Sequence, residues 1–147
     1  ATHNFIQVQW RPPDAPFFKL NFDGSVCNGV AAAGFVIRNA DAEIISAHST
    51  FLGYATITVV ECTALRDGLL EAQRLGFKQM VVEGDNQMIN ATVKIHAFPW
   101  SIHVLLQDIW TIAQTFSSIS FHHIYRETNR VADFIAKSCL TMFQPWL

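Results

Sequence analysis

The chain has 147 residues, half of them hydrophobic and 15% charged, with a formal net charge of −2. That length fits one domain with a real core, and that composition excludes a disordered tail. No apolar run approaches the roughly 18 residues needed to span a bilayer, and no basic-then-apolar leader opens the chain, so no membrane association is expected.

Residues 1–16 end in Arg11-Pro12-Pro13-Asp14-Ala15-Pro16, a Pro-rich lead-in that reads as an extended linker. Phe17 to Asp23 reads as a strand with Phe18, Leu20 and Phe22 on one face, broken by Asp23-Gly24-Ser25. Asn28-Gly29 signals a turn. Ala32 to Arg38 and Ile44 to Leu52 read as two more strands, which short turns would join into an antiparallel meander. From Thr58 to Leu75 the period becomes helical, with Val60, Ala64, Leu65, Leu69 and Ala72 on the apolar face and Gly76 as terminator. Gln79 to Glu83 is a short strand, Asn86 to about Lys94 a short helix, and Trp100 to Thr115 a longer one opened by Pro99. Ser118 to Tyr125 is a fifth strand, and Asn129 caps a last helix through Cys139. The expected fold is α/β, a mixed five-stranded sheet of three antiparallel and two parallel strands flanked by helices. Its expected domain runs over 17–140, followed by an apolar tail at 141–147.

Cys27, Cys62 and Cys139 are odd in number and far apart, which indicates neither a zinc site nor a disulfide framework. They read as reduced thiols, with Cys62 and Cys139 partly buried on helices. That suits a cytoplasmic or nuclear setting. Trp100 and Trp110 read as packing against the sheet, and Glu83, which has the strand parity to lean toward Asp85, reads as facing solvent or pairing with a lysine.

Four acids stand out because each is expected at the end of an element. Asp23 would close the first strand, Asp85 directly follows Met80-Val81-Val82, Glu61 would lie in the first turn of its helix, and Asp133 one turn into the last. A carboxylate aimed into apolar surroundings is costly unless something positive meets it. Mg²⁺, a hard ion that takes oxygen ligands, is the natural compensator. Two such ions roughly 4 Å apart can carry out in-line hydrolysis of a phosphodiester. Any one of these acids alone also fits an ordinary capping or salt-bridging role. With the four set aside, bases outnumber acids, so the net charge does not exclude a polyanionic substrate.

The stretches Lys19-Leu-Asn-Phe-Asp-Gly-Ser25, Glu61-Cys-Thr-Ala-Leu-Arg-Asp-Gly68, Val82-Glu-Gly-Asp-Asn-Gln87 and Tyr125-Arg-Glu-Thr-Asn-Arg-Val-Ala-Asp-Phe-Ile-Ala-Lys137 together resemble type 1 ribonuclease H, most nearly its plant, retroelement-derived branch. Trp10-Arg-Pro-Pro13 resembles the lead-in common there. The similarity covers about residues 10–140. It implies a ribonuclease H-like fold and an endonuclease that cuts RNA in an RNA–DNA hybrid with two Mg²⁺ ions, or Mn²⁺ as substitute. The family's metal-binding, catalytic carboxylates would fall on Asp23, Glu61, Asp85 and Asp133. Substrate contacts would fall on Asn28, Thr56, Thr58 and Gln87, with Arg126 and Asn129 added ahead of Asp133.

Two departures matter. The family's loop histidine before the last carboxylate is missing, and Arg126 or Glu127 stands nearest its place. A basic helical protrusion is also absent, since residues 94–115 hold only Lys94 among the bases. Double-stranded RNA therefore stays open beside the hybrid as the RNA-containing duplex. A catalytically weak or inactive nucleic-acid-binding module is the alternative. An interaction domain that uses the apolar tail, which could support a homodimer, is a third reading.

Overall fold

The computed structural model describes residues 9–85 and 100–143. The elements in chain order are β1 (Phe18–Cys27), β2 (Val30–Arg38), β3 (Ile44–Tyr54), α1 (Ile57–Arg74), β4 (Gln79–Gly84), α2 (Trp100–Ala113), β5 (Ser118–His123), a 3₁₀ turn (Arg126–Thr128) and α3 (Arg130–Phe143). The helix expected over Asn86–Lys94 lies outside the described residues. No helix among them is long and apolar enough to cross a membrane.

The five strands form one sheet in the order β3-β2-β1-β4-β5. β1, β2 and β3 pair antiparallel, while β4 runs parallel to both β1 and β5. The expected mixed sheet is therefore the one found. α1 and α2 cover one face, and α3 covers β1, β2 and β3 on the other.

Alternation along the strands explains this layering. Leu20 and Phe22 of β1, Phe35 and Ile37 of β2, and Met80 and Val82 of β4 enter the main core with Val60, Leu65 and Leu69 of α1 and Ile109 of α2. On the opposite face, Val30 and Ala32 pack with Cys139 and Leu140 of α3. β2 is thus covered on both sides, which accounts for its run of small and apolar residues without polar alternation. Cys62 and Cys139 lie on helices as expected and are buried more fully than the partial burial expected of them.

Two boundaries differ from the sequence reading in ways that bear on the site. Asp23-Gly24-Ser25 does not break β1. The ladder with β4 ends at Asn21↔Glu83, but the ladder with β2 continues through Asp23↔Gly34 to Cys27↔Val30. Asp23 therefore sits within a strand paired on one side only. Asn28 and Gly29, at φ 52° and 81°, then make the two-residue turn into β2. The second difference is at α1, which starts at Ile57 with Thr56 as N-cap, its Oγ1 accepting from the Val59 N–H at 3.3 Å. Glu61 consequently lies in the second turn of the helix, buried, and not in the first.

The Pro-rich lead-in is docked on the sheet. The Trp10 indole donates to Asn21 Oδ1 at 2.9 Å, Lys19 Nζ donates to the Arg11 carbonyl at 2.8 Å, and Pro13 is buried.

Candidate metal centre

Asp23, Glu61 and Asp85 come together at the carboxyl end of the β1–β4 ladder. One carboxylate oxygen from each lies within 4.8 Å of the others. Parity puts Lys19, Asn21 and Asp23 on the same face of β1, beside Glu83 on β4 in the register Asn21↔Glu83. Asp85 directly follows β4, past the last paired residue.

Two glycines let the carboxylate-bearing helices close in. A Cβ on Gly24 would lie 2.5 Å from Val60 Cγ1 and 3.2 Å from the Glu61 nitrogen, so its absence admits α1 beside Asp23. A Cβ on Gly34 would lie 2.6 Å from the Ala136 nitrogen and 2.9 Å from the Ala132 carbonyl, so its absence seats α3 against β2.

Asp133, in the first turn of α3, stands on the flank of Asp23. Lys137, one turn further on, holds it with Nζ 3.0 Å from Oδ2. Three of the four expected acids thus share one cluster, and the fourth abuts it while paired with a lysine. Sequence reasoning assigned Lys137 no role, although its i,i+4 spacing from Asp133 was the available signal.

The electrostatics are those of a site waiting for positive charge. Asp23 is pushed up to about 7 by burial, by the charge of Asp85 and by a hydrogen bond with Asp133, against the Gly24 N–H, which donates to Oδ1 at 2.9 Å. Glu61 is pushed up to about 9 by burial and by the charges of Asp23 and Asp85. Burial also raises Asp85, although Arg126 and His123 pull it down. Glu61 Oε2 is buried and has no hydrogen-bond partner among the described residues. An orphaned carboxylate oxygen is rare in a folded interior and calls for an explanation such as an ion. Oxygen-only donors facing one another suit a hard divalent cation. The residues present therefore fit a metal.

A cleft of about 620 Å³ opens beside the acids, lined by Gly24, Ser25, Ile57, Arg126 and Lys137 among others. Around it, Asn28 is exposed at the hairpin tip, Thr56 is exposed at the start of α1, and Thr58 is half-buried. Gln87 lies outside the described residues. Asn129 departs from its expected role as a substrate contact, since it is only 1% exposed. Its Nδ2 donates to the Phe22 carbonyl at 2.8 Å and its Oδ1 accepts from Asn21 at 3.2 Å, which commits both ends of the amide internally.

Residues 21–139 match the model of a family described as reverse transcriptase-like. No curated protein matches the chain. Among solved structures, ribonuclease H1 from the halophilic archaeon Halobacterium salinarum NRC-1 is similar at TM-score 0.80 and 25% identity, over 86% of this chain and 98% of that one. The N-terminal ribonuclease H domain of rv2228c from Mycobacterium tuberculosis gives 0.81 at 23% identity, over 86% and 94%. LC11-RNase H1, isolated from compost by a metagenomic approach and solved in complex with an RNA/DNA hybrid, gives 0.76 at 22% identity, over 82% and 94%. The chain belongs to the reverse transcriptase-like family, within the type 1 ribonuclease H superfamily, and is by that membership an enzyme of the ribonuclease H-type hydrolase class.

Proposed function

We propose that this hydrolase is a metal-dependent endoribonuclease that cuts phosphodiester bonds of RNA within a duplex, either an RNA–DNA hybrid or double-stranded RNA. The observation that carries the reading is the convergence of Asp23, Glu61 and Asp85 within 4.8 Å, with one buried Glu61 oxygen left without a partner. Asp23, Glu61, Asp85 and Asp133 would hold two divalent ions, Mg²⁺ or Mn²⁺. When bound, such ions activate water and neutralise charge on the leaving oxygen.

The chain's own residues do the rest. Arg126 and Lys137 offer positive charge to phosphates at the wall of the cleft. Asn28, Thr56 and Thr58, with Gln87, offer short polar groups of the kind that read 2′-hydroxyls and sugar–phosphate edges in an A-like duplex. The likeness to LC11-RNase H1, solved with an RNA/DNA hybrid, supports that class of substrate.

The test uses labelled RNA–DNA hybrid, double-stranded RNA and single-stranded RNA, each with Mg²⁺, Mn²⁺ or chelator, on the wild type and Asp85→Asn. Duplex-dependent cutting that needs metal and vanishes in the variant is expected. Tight duplex binding with no cutting would sink the enzymatic reading in favour of a binding module.

A further inference from the structure

Behind the acids lies a chain of hydrogen bonds that the proposed chemistry does not use. We infer that Asn21 is a positioning residue: tied to Trp10, Glu83 and Asn129, it sets how far apart the candidate carboxylates stand. This rests on the proposed metal site.

Asn21 is fully buried. Its Oδ1 accepts from the Trp10 indole at 2.9 Å, and its Nδ2 donates to Glu83 Oε1 at 3.1 Å and to Asn129 Oδ1 at 3.2 Å. An indole N–H only donates and a carboxylate only accepts, so the orientation of the amide follows from its partners. Asn129 then passes the chain on, donating to the Phe22 carbonyl at 2.8 Å. That carbonyl belongs to the peptide that leads into Asp23. The Asn129 carbonyl in turn accepts from the Asp133 N–H at 3.1 Å. One buried amide therefore links the strand of Asp23, the strand of Asp85 and the helix of Asp133.

Its place in the sheet gives this linkage a purpose. Asn21↔Glu83 is the last rung of the parallel ladder between β1 and β4. Beyond it the backbones no longer bond, and Asp23 and Asp85 project from the parted strands. Like charges there push outward, and the nearest brake is the Asn21–Glu83 bond. Glu83 is held on its other oxygen by Lys19 at 3.0 Å. Trp10 closes the chain from the lead-in, its ring under the Arg38 guanidinium at 3.9 Å. Groups that hold metal-ligating side chains in place by hydrogen bonds are known to set metal affinity, and here the hold reaches Asp23 through Asn129 and the Phe22 carbonyl.

Trp10→Phe tests this, because it keeps an aromatic ring for Arg38 while removing the indole donor. Mn²⁺ binding by calorimetry, thermal midpoints in chelator, and kcat and KM on an RNA-containing duplex are compared with wild type. Expected are a modestly lowered midpoint, because the buried Asn21 Oδ1 loses its donor, Mn²⁺ affinity weakened by about tenfold, and a lowered kcat with KM unchanged. Asn21→Leu should exceed both effects, and if it fails to fold, Trp10→Phe decides alone. Wild-type Mn²⁺ affinity in Trp10→Phe overturns the positioning role. A wild type that binds Mn²⁺ but cuts no duplex defeats the proposed function, and the Mn²⁺ comparison still judges Asn21. A wild type that binds no divalent ion overturns the positioning role as well.

Discussion

The two faces of β1 are equally buried and chemically opposite. Leu20 and Phe22 point into the core under α1, while Asn21 and Asp23 point the other way, and none of the four is more than 3% exposed. The apolar pair is stable where it stands because its surface has left water, at about 25 cal/mol per Å². Asn21 is stable because every group on its amide has a partner. Asp23 shares the burial of both but faces Glu61, Asp85 and Asp133, with a backbone N–H as its compensation. Burial alone therefore does not separate core from functional site. What separates them is whether the buried group is satisfied.

The largest effect expected on either face is that of Glu61→Gln. It keeps the shape and removes a ligand charge, so duplex cutting should fall by at least about 10³-fold, roughly 4 kcal/mol of transition-state stabilisation. The same variant should raise the thermal midpoint in chelator at neutral pH, because folding no longer has to protonate a carboxylate that burial and the charges of Asp23 and Asp85 disfavour. Gel-based cleavage and thermal melts on one preparation read both. A variant that loses activity and stability together would break the contrast. Next is Leu20→Ala on the apolar face, expected to cost about 2–5 kcal/mol in urea unfolding. Turnover per folded molecule should change little, since Leu20 lies on the face of β1 opposite Asp23.

These two positions also show how unevenly the molecule was legible in its sequence. The apolar face was readable because period is written in residue type: Phe18, Leu20, Phe22 on a strand and Val60, Leu65, Leu69 on a helix. The candidate acids were readable by their place against apolar runs and by their order along the chain. Their supports were not. Nothing local says that Gly24 continues β1, because the pairing that carries it there comes from β2. Glu61 in the second turn depends on Thr56 taking the cap, which Ile57-Thr58 does not announce. Asn129 read as a helix cap and a substrate contact, and its side chain proved to be an internal tie, since its partners are more than 100 positions away. The Asn21 signal was present all the same: an amide in an apolar strand needs a partner.

Gly34 and Gly68 sharpen the comparison at smaller scale, one on each face. A Cβ at Gly34 meets the backbone of α3 at 2.6 Å, and one at Gly68 meets Leu20 Cδ1, the end of a side chain, also at 2.6 Å. Gly34→Ala should cost about 1–3 kcal/mol and should lower kcat as well, because α3 must back away and carry Asp133 with it. Gly68→Ala can be absorbed partly by a Leu20 rotamer, so it should lower stability less and leave kcat alone. Equal kcat losses in the two variants would mean that α3 does not set the position of Asp133.

The most gradual effect is the slope of stability against pH. Asp23 rises from 3.8 to about 7 and Glu61 from 4.5 to about 9 on folding without metal. The folded chain then holds protons that the unfolded chain has released. Stability in chelator should therefore fall as pH rises from about 4 to about 7 for Asp23, and on to about 9 for Glu61. Each group contributes at most about 1.4 kcal/mol per pH unit. Mn²⁺ should flatten or reverse the slope, because a cation takes the place of those protons and releases them on binding. Thermal midpoints across that window, with and without metal, measure this. Leu20→Ala should lower the whole curve and keep its slope, whereas Glu61→Gln should reduce the slope from about 4.5 upward and remove most of it above about 7. A core change and a site change would then be told apart by slope, since Glu61 exchanges a proton as the chain folds and Leu20 does not.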